Sequence, residues 1–135
     1  SLKKFCKNAL KIESQTSSLF WKEEDGYSKK IRPDIIITTN SGRKLVIDSK
    51  WKNINNSSPS DNDLRQMYVY SSFNNNANSI LMYPGTESKY LIGNFYNVNI
   101  TDRLSEVQCG ILTIRPLQSL RDWQLEIANI IDSRL

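Results

Sequence analysis

Two short apolar runs joined by a turn most constrain how this chain can fold. They cover residues 32–39 and 43–51, and an Asn-Ser-Gly sequence lies between them at 40–42. A three-residue hairpin loop is favoured when its third residue is left-handed, which suits glycine. The pattern therefore predicts an antiparallel hairpin in which Thr39 lies opposite Arg43.

The register of this hairpin has a chemical consequence. Counting back from the turn places Asp34 directly opposite Asp48, on the face that Ile36 and Val46 share. Opposed Cβ atoms lie ~4.5–5.5 Å apart, and like charges at that spacing destabilise a sheet. A raised pKa or a bound cation would compensate for the repulsion. Because carboxylate oxygens suit Mg²⁺ or Mn²⁺, we expect one of these ions here.

A lysine completes the predicted site. Lys50 follows Asp48 by two residues and therefore projects from the same face of the strand. There it can hold a phosphate and stabilise charge that builds on phosphorus. The chain has no histidine, which excludes Ser-His-Asp and Cys-His catalysis and histidine-ligated zinc. These residues suffice for phosphodiester hydrolysis; the alternative is a surface ion pair among them.

A second candidate group lies on the next predicted element. Residues 60–73 indicate a helix that Ser60 caps, with Asp63 as its capping-box partner. Gln66 and Tyr70 are four residues apart and therefore share one helix face. From the helix alone, a core tyrosine beside a solvated glutamine is the more common arrangement.

The remaining pattern indicates one domain of the α/β or α+β class around a mixed sheet. Helices are predicted at 2–18 and 117–135, a loop or strand edge at 22–30, and strands at 79–83, 89–95 and 107–114. The 135 residues contain no apolar run of the ~20 residues that a membrane span needs. Cys6 and Cys109 are too few for a disulfide framework and are interpreted as free thiols in a reducing cytoplasm.

The charge distribution favours a polyanionic partner. Of the 18 basic and 14 acidic residues, 13 basic and 8 acidic ones fall within residues 1–65. A basic half beside a neutral one is typical of nucleic-acid binding, although the signal is weak by itself. Lysines and arginines flanking the hairpin could contact phosphates or form a solvated surface: Lys29, Lys30, Arg43, Lys44 and Lys52. Trp21, Trp51 and Trp123 could stack on bases, but tryptophans more often pack in or near the core.

Together these motifs resemble a known nuclease pattern. The strings are Arg-Pro-Asp-Ile-Ile-Ile at 32–37, Val-Ile-Asp-Ser-Lys-Trp-Lys at 46–52 and Gln-Met-Tyr-Val-Tyr at 66–70. They resemble the PD-(D/E)xK superfamily with a RecB-like Q-x-x-x-Y helix. More narrowly they are similar to the McrC subunit of McrBC-type restriction systems, including LlaJI-like ones. The strand Leu-Met-Tyr-Pro at 81–84 is also similar to that subunit.

The resemblance implies a restriction-endonuclease-like core, a mixed central β-sheet flanked by helices, over residues 1–135 as a fragment of a longer subunit. It implies a Mg²⁺-dependent deoxyribonuclease in a bacterial or archaeal cytoplasm, acting on double-stranded DNA. A GTP-driven AAA+ subunit of the McrB type is the implied partner, with no membrane. The implied metal ligands are Asp34, Asp48 and the carbonyl of Ser49, with Lys50, Gln66 and Tyr70 as active-site residues.

One departure from the family pattern leaves the number of metal ions open. Such nucleases often carry a glutamate in the first helix, where this chain has Lys3, and Glu13 comes too late to match. Two alternatives therefore stand beside a restriction nuclease. One is a RecB-like repair nuclease or junction resolvase, and the other is a catalytically silent DNA-binding or assembly module.

Overall fold

The computed structural model describes residues 9–50 and 59–115. These residues form eight strands and one helix, and no helix among them is long and apolar enough to cross a membrane. In chain order the elements are β1 Ala9–Ser14, β2 Ser18–Lys22, β3 Ser28–Ile31, β4 Ile35–Thr39, β5 Lys44–Ser49, α1 Asp61–Ser72, β6 Asn78–Pro84, β7 Lys89–Tyr96 and β8 Leu104–Ile114.

Six of the strands form one mixed sheet, in the order β1-β4-β5-β6-β8-β7. The pairs β1–β4, β4–β5 and β7–β8 are antiparallel, whereas β5–β6 and β6–β8 are parallel. The predicted mixed sheet is therefore confirmed. Strands β2 and β3 form a separate two-stranded sheet, which is inserted between two strands, β1 and β4, that are neighbours in the main sheet.

The predicted register of the β4–β5 hairpin is confirmed. Ile36 pairs with Val46, and Thr39 N donates to the carbonyl oxygen of Arg43 at 2.8 Å. Gly42 has φ +82°, a left-handed conformation that glycine adopts without a Cβ penalty. The turn chemistry thus fixes which side chains of the two strands face each other.

The main sheet carries an apolar cluster on each face. One cluster contains Ile37, Leu45, Ile47, Ile80, Met82, Leu112 and Ile114. The other contains Ile36, Val46, Met67, Tyr70, Ala77, Leu81, Tyr83, Cys109 and Ile111, so α1 packs on this second face. Because side chains alternate along a strand, Asp34 and Asp48 belong to the same face as α1.

The helix that follows β5 is confirmed at its predicted position. Ser60 is its N-cap and accepts a hydrogen bond from Asp63 N at 3.1 Å, and Phe73 is its C-cap. The Asp63 carboxylate accepts a hydrogen bond from Tyr83 OH at 2.7 Å. This buried contact ties the first turn of α1 to β6.

Two helix predictions need correction or lie outside the described residues. The helix predicted at 2–18 is wrong over residues 9–18, where β1 pairs with β4 and β2 begins, and residues 1–8 lie outside the described residues. Of the two alternatives for residues 22–30, a loop or a strand edge, the strand is found at 28–30, where β3 pairs with β2. The helix predicted at 117–135 also lies outside the described residues. Within the described part, a single helix on one face replaces the expected flanking helices.

Candidate active site

The candidate site lies where β4 begins and β5 ends. Asp34 directly precedes β4, Asp48 and Ser49 are the last two residues of β5, and Lys50 follows them. The amide of Lys50 donates to the carbonyl oxygen of Met82 at 2.9 Å. The backbone therefore keeps its pairing with β6 past the end of β5, which fixes the direction in which the Lys50 side chain leaves the sheet.

The two aspartates are held together across the strands. Asp34 N donates to Asp48 Oδ1 at 3.2 Å. In return, Asp34 Oδ2 accepts hydrogen bonds from Ser49 N at 2.9 Å and from Ser49 Oγ at 2.8 Å. Each carboxylate is thus oriented by a backbone N–H of the neighbouring strand. Within the described part of the chain, Asp34 Oδ1 carries no hydrogen bond.

A line of polar contacts leads from this pair to α1. Lys50 Nζ lies 2.8 Å from Asp48 Oδ2 and donates a short hydrogen bond to Gln66 Oε1. Gln66 Nε2 donates in turn to Tyr70 OH at 2.9 Å. The Tyr70 side chain is buried in the apolar cluster between α1 and the sheet. The helix therefore anchors the ammonium group through one glutamine, whose amide has a single orientation that satisfies both neighbours.

Burial dominates the electrostatics of the site. Desolvation raises the pKa of the Asp48 carboxyl above its usual 3.8, Lys50 opposes that rise, and the Asp34 charge adds to it. Burial also raises the pKa of Tyr70 to about 12, with further contributions from Asp48 and Asp34. Tyr70 is therefore a neutral hydroxyl at physiological pH. The Asp34 charge therefore contributes to the raised pKa of Asp48, but less than burial does.

The donor set fits a hard divalent ion. Asp34 Oδ1 is available, and Asp48 Oδ2 is shared with Lys50. Mg²⁺ takes one or two protein carboxylates and completes its shell with water and phosphate oxygens. Two carboxylates on one face meet this requirement. Among the described residues there is no group of three acidic or other metal-ligating side chains close enough to hold an ion.

The structure brings together six residues selected from the sequence: Asp34, Asp48, Ser49, Lys50, Gln66 and Tyr70. Tyr70 is a core residue, and it also accepts a hydrogen bond from Gln66; its role as an active-site residue stays a prediction. The amide and hydroxyl of Ser49 orient Asp34, a role that sequence reasoning missed. The expected metal-binding role of the Ser49 carbonyl stays a prediction.

A third acidic residue lies on the same face of the sheet. Glu13 on β1 pairs directly with Ile36, so its side chain shares a face with both aspartates. It accepts a hydrogen bond from Thr16 Oγ1 at 3.3 Å and forms an ion pair with Lys11 at 3.7 Å. The mistaken helix over residues 9–18 concealed this position. The alternation of Leu10 and Ile12 with charged residues is the signal that could have revealed it.

The basic and aromatic candidates lie on two different parts of the chain. Lys29, Lys30 and Trp21 lie on the β2–β3 hairpin, which leads into Asp34. Arg43 and Lys44 lie at the start of β5, four to five residues and therefore roughly 13–17 Å from Asp48 along the strand. Lys52, Trp51 and Trp123 lie outside the described residues.

Comparison with known families identifies the chain's relatives. The family model for the McrBC 5-methylcytosine restriction system component matches residues 1–84, which is more than half of the 135 residues. The chain belongs to this family. No curated protein matches the chain.

Comparison with solved structures supports the fold. The chain is similar to one in the refined half-complex from a tetradecameric assembly of Thermococcus gammatolerans McrB AAA+ hexamers with bound McrC. The TM-score is 0.55 and the sequence identity is 17%, and the match covers 89% of this chain. It spans 28% of the other chain. The present chain thus shares its fold with a part of a much longer chain in an assembly of McrB with bound McrC.

Proposed function

We propose that this chain is a metal-dependent DNA endonuclease domain, the cleavage part of an McrBC-like restriction system. The observation that carries the proposal is the contact between Lys50 and Asp48, beside Asp34, on one face of the sheet. A nuclease without histidine needs carboxylates for a metal and a cation for the phosphate. The described site supplies both within one group of touching side chains.

Each residue of the site has a distinct task in the proposed reaction. Asp34 and Asp48 would hold Mg²⁺ or Mn²⁺, with the Ser49 carbonyl as an additional ligand. When bound, the ion lowers the pKa of water and polarises the phosphate. Lys50 stabilises the negative charge that develops on the phosphate oxygens. Gln66 fixes the Lys50 ammonium group, and the neutral Tyr70 hydroxyl fixes Gln66.

The family match guides the choice of substrate and partner. A 5-methylcytosine restriction system component is expected to act on modified double-stranded DNA, which favours restriction over the repair nuclease or resolvase. The relative of similar fold belongs to an assembly of McrB AAA+ hexamers with bound McrC. We therefore expect an McrB-like AAA+ GTPase to act with this chain in the cytoplasm and to select the DNA.

Cleavage of supercoiled plasmid tests the proposal. We expect the protein to cut 5-methylcytosine-containing plasmid in Mg²⁺ or Mn²⁺ when an McrB-like partner and GTP are present. EDTA or the Asp48→Ala substitution should abolish cutting. Glu106→Ala is a matched control, because it removes an exposed acid at the opposite end of the sheet.

Two results would contradict the nuclease proposal. Cutting that persists in Asp48→Ala would assign the observed activity to another site or a contaminant. No cutting by the original protein with an active partner and methylated DNA would leave the DNA-binding or assembly module as the function. Metal-dependent cutting without partner or GTP would instead favour a repair-type nuclease.

A further inference from the structure

The β2–β3 hairpin exposes an unusual amount of apolar and aromatic surface. Leu19 is 66% exposed, Trp21 51% and Tyr27 60%. All other residues between Leu19 and Lys30 are exposed as well. An exposed aromatic group that is rimmed by charged residues typically marks an interaction site. The hairpin therefore presents a surface rather than filling a core.

The aromatic residues lie together on one side of the hairpin. Trp21 pairs with Lys29, and on β3 the alternation of side chains places Lys29 and Ile31 on the same side. The rings of Trp21 and Tyr27 are 6.2 Å apart, and Lys29 Nζ lies 5.2 Å from the centroid of Tyr27. Trp21, Tyr27 and Lys29 form one exposed group, named here the aromatic arm.

The hairpin that carries the arm leaves and rejoins the main sheet beside the candidate active site. Gln15, which precedes the hairpin, donates from its amide to the carbonyl oxygen of Asp34 at 2.9 Å. Ile31, at the other end, packs against the apolar cluster on the face that carries Asp34 and Asp48. Phe20 also contacts Phe73 at the end of α1, with ring centroids 5.8 Å apart. The hairpin is thus tied to the same face of the sheet as the carboxylates.

Residues 18–31 carry three lysines and three acidic residues, so the lysines, and not the net charge, suit a phosphate-bearing partner. Lys22, Lys29 and Lys30 are exposed, and none of them forms an ion pair among the described residues. The acidic residues 23–25 lie in the turn at the far end, away from Asp34. Aromatic rings that stack on bases, combined with cations that hold the backbone, are the usual means of binding a nucleic-acid strand.

We propose that the aromatic arm binds the DNA strand next to the phosphate that is cleaved. Trp21 and Tyr27 stack on bases or pack on sugars, and Lys29 contacts a phosphate. The inference rests on the proposed nuclease function, because it places the arm on the path by which DNA reaches Lys50. It predicts a preference for DNA whose bases are unpaired or distorted beside the cut, since stacking needs an exposed base face.

DNA affinity measured by fluorescence anisotropy tests the inference separately from cleavage. The protein carries Asp48→Asn in all samples and is assayed in EDTA, with a duplex and with the same duplex containing a central unpaired stretch. We expect Trp21→Leu combined with Tyr27→Leu to weaken binding roughly ten-fold or more, chiefly for the unpaired substrate. Lys29→Gln should make the negative slope of log affinity against log salt concentration shallower by about 0.9.

Matched controls come from β7 at the opposite edge of the sheet. Tyr96 is 62% exposed and Lys89 is exposed, so Tyr96→Leu and Lys89→Gln remove the same chemistry elsewhere. We expect both controls to keep the original affinity and salt dependence. Tryptophan emission adds a direct readout, because DNA should quench the emission of the Trp21 protein more than that of Trp21→Phe.

The outcomes separate this inference from the proposed function. Unchanged DNA affinity in the arm variants would overturn the inference, even if Asp48→Ala abolishes cleavage. Loss of binding to the AAA+ partner with unchanged DNA affinity would also overturn it and assign the arm to a protein interface. Weakened DNA binding in a protein that never cuts would support the arm while contradicting the nuclease proposal.

Discussion

Two hairpins that follow each other along the chain differ in almost every physical property. The β4–β5 hairpin is buried, with Ile37, Leu45 and Val46 at most 1% exposed, and it ends in the candidate site. The β2–β3 hairpin is exposed along nearly its whole length and carries the aromatic arm. Under the two proposals above, the buried hairpin holds the reacting groups and the exposed hairpin offers contacts to DNA.

The largest expected effect separates chemistry from binding. Asp34→Asn removes a carboxylate charge from the proposed metal site, so we expect cleavage to fall by about 10³-fold or more. DNA affinity in EDTA should stay within about three-fold. The Trp21→Leu, Tyr27→Leu protein should show the reverse, with weaker binding but a near-normal cleavage rate at saturating DNA. Equal losses of DNA affinity and of cleavage rate in both proteins would contradict separate roles for the two hairpins.

The second contrast concerns stability. Ile37→Ala deletes a fully buried side chain of the β4–β5 hairpin, and we expect it to lower the free energy of unfolding by about 2–5 kcal/mol. Leu19→Ala on the exposed hairpin should change it by less than about 0.5 kcal/mol. Urea denaturation measures both values. A large loss in Leu19→Ala would show that the exposed hairpin supports the core.

The next prediction concerns the link between the buried hairpin and α1. Gln66→Leu removes the acceptor that holds Lys50 and the donor to Tyr70. We expect kcat to fall by roughly 10- to 100-fold with little change in KM, because displacing a catalytic group costs rate rather than affinity. Gln66→Glu keeps an oxygen toward Lys50 and should retain more activity. A loss confined to KM would assign Gln66 to DNA binding instead.

The smallest effect concerns the pH dependence of stability. Burial raises the pKa of Asp48, so the folded state binds its proton more tightly than the unfolded state. Without metal, this group destabilises the protein as pH rises from about 3.8 through its raised pKa. Asp48→Asn should therefore increase the unfolding temperature at neutral pH in EDTA. Mg²⁺ should raise the unfolding temperature of the original protein and leave that of Asp48→Asn unchanged. Stabilisation of Asp48→Asn alone by Mg²⁺ would contradict burial of the Asp48 charge as the cause.

How far the sequence predicted this structure depended on whether local signals agreed with tertiary contacts. The glycine turn at Gly42 and the N-cap at Ser60 are local devices, and both placed their elements correctly. The predicted register then placed Asp34 beside Asp48. Contacts beyond the hairpin, such as Lys50 with Gln66, depend on the packing of α1 on the sheet. The resemblance implied only that Gln66 belongs to the active site.

The wrong predictions lie where strand pairing overrides the local sequence pattern. Residues 9–14 have apolar residues at a spacing that a helix or an edge strand can use, and hydrogen bonding to β4 decides for the strand. The β2–β3 hairpin buries few side chains, so its sequence lacks the alternation of apolar and polar residues that predicts a strand. The sequence favours packing over base stacking for Trp21, because sequence alone does not show that the hairpin leaves the main sheet.

The place where the exposed hairpin joins the sheet has a consequence for evolution and engineering. The amide of Gln15 donates a hydrogen bond to the carbonyl oxygen of Asp34. The two ends of the segment that contains the β2–β3 hairpin, residues 18–31, are therefore held close together. Insertions and deletions there can be tolerated, because the neighbouring strands need only a short connection. The length of this segment can therefore change, and a designer can exchange it as a unit, while Asp34 and Asp48 keep their positions.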